Sequence, residues 1–293
     1  MLPMGRGFPV SERACALYHM FVGLVLEEAE NVALAISMVM LRQDAPLPAI
    51  DIQRHLAKKW PKLPAATDTE EKDDSFAFRV GDADIILGKM PAPIPWSELE
   101  GPCATSVLWK NARDEVKQHS IHWIVTVSAE LNPIELSTLL SQATASVMAT
   151  CPSALGVYWG NATLVVPKAI FVEFAEQVLP EGPPLHIWVN FRVGKDSDKT
   201  SSGFTAGMVA LGHMEFETQA CPEPPGELHE RLMSLCGYLL EHGPVIKDGD
   251  TVGEDANERI RVVYSKSAFG HKGKVMRLEY DSASSRKPWW KLW

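Results

Sequence analysis

Three places in the sequence bring together residues able to do acid-base or metal chemistry. His213, Glu215 and Glu217 stand two apart in an apolar stretch. In an extended strand that spacing turns all three to one side, as a metal site or an acid-base pair requires. Lys247-Asp248-Gly249-Asp250-Thr251 sets two carboxylates around a glycine, like the opening of a calcium loop. Counting from Asp248, however, the twelfth position is Arg259 and not the glutamate such a loop needs. His119 and His122 are three apart, so an extended chain places them on opposite faces and disfavours shared ligation. Solvated strand faces and a hairpin turn explain these residues without any ligand, so no metal and no catalytic residue is assigned.

Stronger signatures are absent. The chain has no G-x-S-x-G, no P-loop, no H-E-x-x-H and no complete dinucleotide fingerprint, so no cofactor is implied. Its five cysteines are widely spread and form no C-x-x-C pair, which reads as buried, reduced thiols in a cytoplasmic protein. With 37 acidic against 28 basic residues the net charge is -9, which argues against nucleic acid and suits a basic protein partner. The apolar run at 14–26 is too short to cross a bilayer and is interrupted by His19, so no membrane span is expected.

The elements that would position any site show an internal echo. VGDADIILGK (80–89) and WGNATLVVPK (159–168) align Gly81 with Gly160, Asp82 with Asn161 and Lys89 with Lys168. Each reads as a tight β-hairpin, because Gly-Asp and Gly-Asn tolerate positive φ. The hairpins are preceded by the runs 33–41 and 121–128 and by the helical stretches 49–60 and 133–150. Helices at 96–119, broken near Gly101-Pro102, and at 168–179 follow them. The expectation is an α+β fold of duplicated β-α-β-β-α units, forming a mostly antiparallel sheet with helices packed on one face. The boundaries read are an N-terminal segment at 1–32, a first half at 33–120, a second half with an appended strand-helix-strand region at 121–281, and a tail at 282–293.

MPAPIPWSELEG, the Trp109 helix, HSIHWIVTVSAE, VYWGNATLVV, GFTAGMVALGHMEFE and VIKDGDTVG follow one another in an order that resembles the bacterial family grouped as domain of unknown function 4261. The resemblance spans roughly residues 33 to 255. It implies a bacterial, cytoplasmic protein and transfers no catalytic residue. In MPAPIPW, Pro91, Pro93 and Pro95 fix an extended path into Trp96, which braces a crossover or walls a groove.

The function expected is therefore non-catalytic protein binding, with an immunity protein against a secreted antibacterial toxin as its concrete form. The candidate binding residues are Trp96, Trp109, Asp248, Asp250, Trp289, Trp290 and Trp293. The alternatives are a hydrolase with a dispersed site around His213, Glu215 and Asp250, and a homo-oligomer assembled through the tail. That tail sets three tryptophans beside Arg286, Lys287 and Lys291. Burying each indole yields about 2 kcal/mol, enough to offset ordering a short peptide. Deleting residues 286–293 is expected to lower the melting temperature or change the oligomeric state. A truncated protein of unchanged stability and size that loses only affinity for another protein would make the tail a partner-binding element.

Overall fold

The computed structural model describes residues 33–72, 74–253 and 259–280. The N-terminal segment, Cys15 and the Trp-rich tail lie outside the described residues. The chain divides into two compact units, one up to Ile187 and one from Trp188 onward.

The first unit is a seven-stranded sheet in the order β2-β3-β4-β5-β1-β6-β7. Its strands are β1 (Ala33–Leu41), β2 (Ala66–Lys72), β3 (Ser75–Val80), β4 (Ala83–Met90), β5 (Ile121–Ala129), β6 (Ala154–Trp159) and β7 (Leu164–Pro167). Every pairing is antiparallel. At the centre β1 runs against β5 without a bulge, from Ala33 opposite Ala129 to Leu41 opposite Ile121.

The α+β class and the antiparallel pairing agree with the sequence reading, but the helices cover both faces of this sheet and not one. Ser37 of β1 hydrogen-bonds Thr144 (2.7 Å) on α4 (Pro133–Thr150), so that face meets α4 and α1 (Ala49–Lys59). Met38 and Met40 point the other way, onto α2 (Trp96–Ala104) and α3 (Ala112–Val116) through Leu99, Trp109 and Val116. Strand β5 is consequently buried along nearly its whole length. A continuous apolar run such as IHWIVTV signals a strand covered on both sides.

The echo at the hairpins does not extend to a repeated unit. Both segments form hairpins, but Val80 pairs with Ala83 across a two-residue turn, whereas Trp159 pairs with Leu164 across four. Gly81 supplies the positive φ (60°) in the first; in the second a 3-10 turn at Gly160–Ala162 leaves Thr163 at φ 49°. The two extra loop residues shift the pairing, so aligned residues are not structural equivalents. In addition, β2 gives the first half an additional strand. The first hairpin presents its second strand to β5, and the second hairpin presents its first strand to β1.

Helix α4 starts where Asn132 accepts hydrogen bonds from Ile134 N (3.1 Å) and Glu135 N (2.9 Å), with Pro133 in the first turn. Leu136, Leu139, Leu140, Ala143 and Val147 are buried as their spacing predicts. Its polar side is buried too. Ser141 and Ser146 donate to carbonyls one turn back, at 2.8 and 2.9 Å, which satisfies their hydroxyls and keeps that side narrow enough for α1 to pack against. The helix α5 (Lys168–Glu173) widens into a π turn at Phe174–Val178, where a single regular helix was expected. Pro102 likewise sits inside α2, and the break falls after Ala104.

The second unit is a six-stranded sheet ordered β11-β12-β13-β10-β9-β8. Its strands are β8 (Asn190–Lys195), β9 (Ser201–Ala206), β10 (Phe216–Cys221), β11 (Thr251–Val252), β12 (Ile260–Lys266) and β13 (Lys274–Tyr280). Only β10 and β13 run parallel. Strands β9 and β10 are separated by a turn at Gly207–Gly212, although the stretch 203–218 reads as a single strand bent at its glycines. Helix α6 (Pro225–His242) packs Leu228, Leu232 and Cys236 onto this unit's core and ends at Gly243, φ 77°. Gly203 admits it, since a Cβ there would stand 3.2 Å from Leu228 Cδ2.

Gly156 in β6 carries the tightest constraint. A Cβ there would lie 2.4 Å from the Val166 carbonyl oxygen and 2.6 Å from the Trp109 ring, which lies flush on the strand. Gly156→Ala is expected to cost about 2 kcal/mol or more, because backbone and a buried indole must both give way. Denaturant unfolding compared with Gly101→Ala, whose Cβ meets nothing within 4 Å, measures it.

Candidate functional site

A cleft of about 430 Å³ opens in the first unit where the β1–α1 loop overhangs the β2 edge of the sheet. The loop residues Asp44–Leu47 form one wall, and Glu71, Lys72 and Ser75, flanking the β2–β3 turn, form the other. Phe76 and Trp123, both buried, make the floor. Register places them there: Phe76 sits opposite Leu87, which sits opposite Val125, and Trp123 sits opposite Lys89 and Val39. All therefore share the face that α1 and α4 cover.

Charge in the cleft is organised by Lys89. Its ammonium bonds Asp44 (2.7 Å) and lies 3.8 Å from Asp74, and its backbone N–H donates to Asp74 O (2.7 Å). The Trp123 indole Nε1 is buried and has no hydrogen-bond partner among the described residues. An unpaired buried donor is expensive, so a ligand acceptor here would gain more than its bond would yield in water. Strand β2 continues the site outward: six of its seven residues are exposed, Asp68, Glu70 and Glu71 among them, with Asp74 exposed in the turn beyond.

Among the described residues, none of those singled out from sequence lines this cleft. Trp96 is half-buried on the opposite face of the sheet, under the Lys117 ammonium 4.6 Å from its ring centre. Trp109 is core, its indole donating to Glu115 at 2.9 Å. In the second unit, Asp248 accepts from Tyr264 N (2.8 Å) and Asp250 from Lys247 N (2.7 Å), so both brace the turn that Gly249 makes at φ 89°. Trp289, Trp290 and Trp293 lie outside the described residues. Lys89 and Trp123 stood in quoted motifs, but nothing in their spacing marks them as neighbours across two strands.

The carboxylates that suggested acid-base chemistry hold loops. Glu215 accepts from Thr205 Oγ1 (2.7 Å), Gly207 N (2.8 Å) and Val209 N (3.1 Å). Glu217 accepts from Ser267 Oγ and from Ala268 N (2.8 Å). His213 precedes β10 in a bend, its Nδ1 buried without a partner among the described residues. No group of three His, Cys, Asp or Glu side chains among the described residues could hold a metal ion.

One unforeseen cluster has the outline of a catalytic triad. His55 Nδ1 meets Ser146 Oγ at 3.2 Å, and its Nε2 lies 3.3 Å from Glu176 in the π turn, which also pairs with Lys59. The Ser146 hydroxyl is fully buried and donates to Gln142 O, so it accepts from His55 and offers no reachable nucleophile. The thiols are equally shielded. Cys103, Cys151, Cys221 and Cys236 are free and buried, and burial pushes the Cys103 thiol up to about 11.

Residues 204–279 match the family described as Domain of unknown function (DUF4261). The resemblance read from GFTAGMVALGHMEFE and VIKDGDTVG thus holds for the second unit; the Pro-Ile-Pro-Trp run lies outside the matched stretch. No curated protein and no solved structure matches the chain.

The proline strip and the two early histidines turn out to be one device. Ala92 and Ile94 are buried while Pro91, Pro93 and Pro95 face outward. His119 Nε2 accepts from Ile94 N (2.8 Å) while its Nδ1 donates to Val116 O, and His122 Nδ1 donates to Ala92 O (2.8 Å). Burial lowers both pKa values, that of His122 to about 4. The folded protein therefore binds fewer protons than the unfolded chain between pH 6.5 and 4. The contribution of these two histidines to stability should be flat above pH 6.5, fall as the pH drops through that window, and level off below it, with about 3 kcal/mol lost through His122 alone. Denaturant unfolding from pH 7 to 4 measures the loss, and His122→Asn, which keeps a donor but does not titrate, should flatten the profile.

Proposed function

We propose that this is a non-catalytic binding protein of the bacterial cytoplasm, and concretely an immunity protein that neutralises a secreted antibacterial toxin. The observation that carries the reading is the exposed acidic edge strand β2 beside a cleft with an aromatic floor. An edge strand offers unpaired backbone groups to any extended segment. Here the acidic side chains, and a bulge between Thr67 and Glu70 with Asp68 at φ 50°, repel another copy of the same strand. A basic strand or loop meets the opposite conditions: attraction by charge, an edge to pair with, and a cleft for an anchoring side chain. The net charge of -9 extends that attraction to longer range. The buried carboxylates of the second unit, each already accepting hydrogen bonds from its own loops, favour binding over the hydrolytic alternative.

The test is co-expression with the product of each neighbouring gene, any toxin among them being the expected partner, read as growth rescue and as affinity by biolayer interferometry. Rescue is expected with the native chain, and about a tenfold or greater loss of affinity with the double variant Glu70→Lys, Glu71→Lys, steepest at low salt. Affinity unchanged by the charge reversal would remove the β2 edge from the interface. Turnover of a substrate by the purified protein would end the non-catalytic reading.

A further inference from the structure

The second unit contains a cation with no counterion among the described residues. Arg192 of β8 is half-buried, and burial lowers its pKa with no opposing contribution from an acid. Its Nε is sealed from solvent and has no hydrogen-bond partner, and its guanidinium makes no ion pair among the described residues. In a chain with nine more acidic than basic groups, a carboxylate to pair with it would be easy to supply. A half-buried guanidinium without a counterion is costly, and the usual answer is an anion from outside.

Its neighbours are set by the sheet register and by one loop. Arg192 lies directly opposite Phe204 on β9, and Phe204 directly opposite Glu217 on β10, so the three side chains share one face. Cross-strand partners stand about 5 Å apart at Cβ. The loop between β12 and β13 folds over this face: Phe269 stacks on Phe204 at 4.8 Å, and His271 meets its edge at 5.3 Å. His271 Nε2 is buried without a partner among the described residues, and so is Nε of Arg277, whose Cα pairs with that of Glu217 in the parallel ladder. Glu217 is the acid in this row, and its oxygens already accept from Ser267 Oγ and Ala268 N, which fix that same loop. The face thus joins a guanidinium and an imidazole nitrogen with open valences to a wall of two phenyl rings.

We infer that this face binds a small oxyanion, a carboxylate or phosphate group, whose apolar portion rests against Phe204 and Phe269. Arg192 supplies a planar fork of donors to the oxygens, His271 Nε2 a further donor, and the fixed β12–β13 loop the lid of the site. Both sources of oxyanion use the same donors, so probes of each kind separate them.

The experiment is thermal unfolding and isothermal titration of the full chain with inorganic phosphate, phenyl phosphate, acetate and benzoate, against chloride at matched ionic strength. At least one of these is expected to raise the melting temperature by several degrees, the aryl member of its pair more than the simple one. Arg192→Met should weaken that binding about tenfold or more. In chloride alone it should melt at or above the native protein, because an unpaired cation has been replaced by an apolar chain of similar length. Should the methionine variant fail to fold, His271→Asn carries the test, with binding weakened severalfold and the chloride melting point little changed. Three results would overturn the inference: no probe shifts the native protein, the shift survives both substitutions, or Arg192→Met melts well below the native protein in chloride. The last would mean that an acid of the chain itself pairs with Arg192.

Discussion

The first unit depends on the unbroken pairing of β1 with β5. Nine residue pairs in strict register decide which side chains of the sheet face α1 and α4 and which face α2 and α3. A slip of one residue would bring Met38 and Met40 to the side where Ser37 now meets Thr144, and would exchange every contact on both faces at once. Because both sides are buried, neither set can be sacrificed, and the register is held by the packing of two layers. Trp109 lying on Gly156 belongs to the same constraint, since the loop before α3 can close on the sheet only where the strand carries no side chain.

Polar groups inside both units serve mainly as braces. His119 and His122 hold the backbone of a strip in which alternate prolines can donate nothing. Glu215 and Glu217 each tie a loop to β10 through its backbone amides, and Asp248 and Asp250 do the same for the turn before β12. A carboxylate accepting backbone N–H bonds gives the chain fixed loops without helix or sheet, and its charge is offset by those donors. The β12–β13 loop is held in this way, with Phe269 stacked on Phe204. Arg192 and the Trp123 indole break this pattern, because their donors point at nothing the described chain provides.

Much of the secondary structure was legible in the sequence. The period of Leu136, Leu139, Leu140, Ala143 and Val147 located α4, Pro133 marked its start, and Gly243 marked the end of α6. The Gly-Asp turn located the first hairpin. These features depend on backbone conformation within a few residues, which local side chains control directly.

What lay beyond the sequence was the meaning of each element in space. The likeness of residues 80–89 to 159–168 is local, and whether a hairpin offers its first or its second strand to a sheet is settled by the strands it meets. Glu215 and Glu217 have the same spacing whether they serve a metal or clamp two loops; the loops that claim them arrive from as far as Ser267 and Ala268. Lys89 and Trp123 become neighbours only through the β4–β5 register, and His271 reaches the edge of Phe204 only because β12 and β13 return to the sheet beside β10. Composition and periodicity determined the class of fold, the helices and the acidic character of this protein. Its cleft, the place of Arg192 beside Phe204 and the faces its helices cover were decided by tertiary pairing, because contacts between residues far apart in the chain leave no local pattern to read.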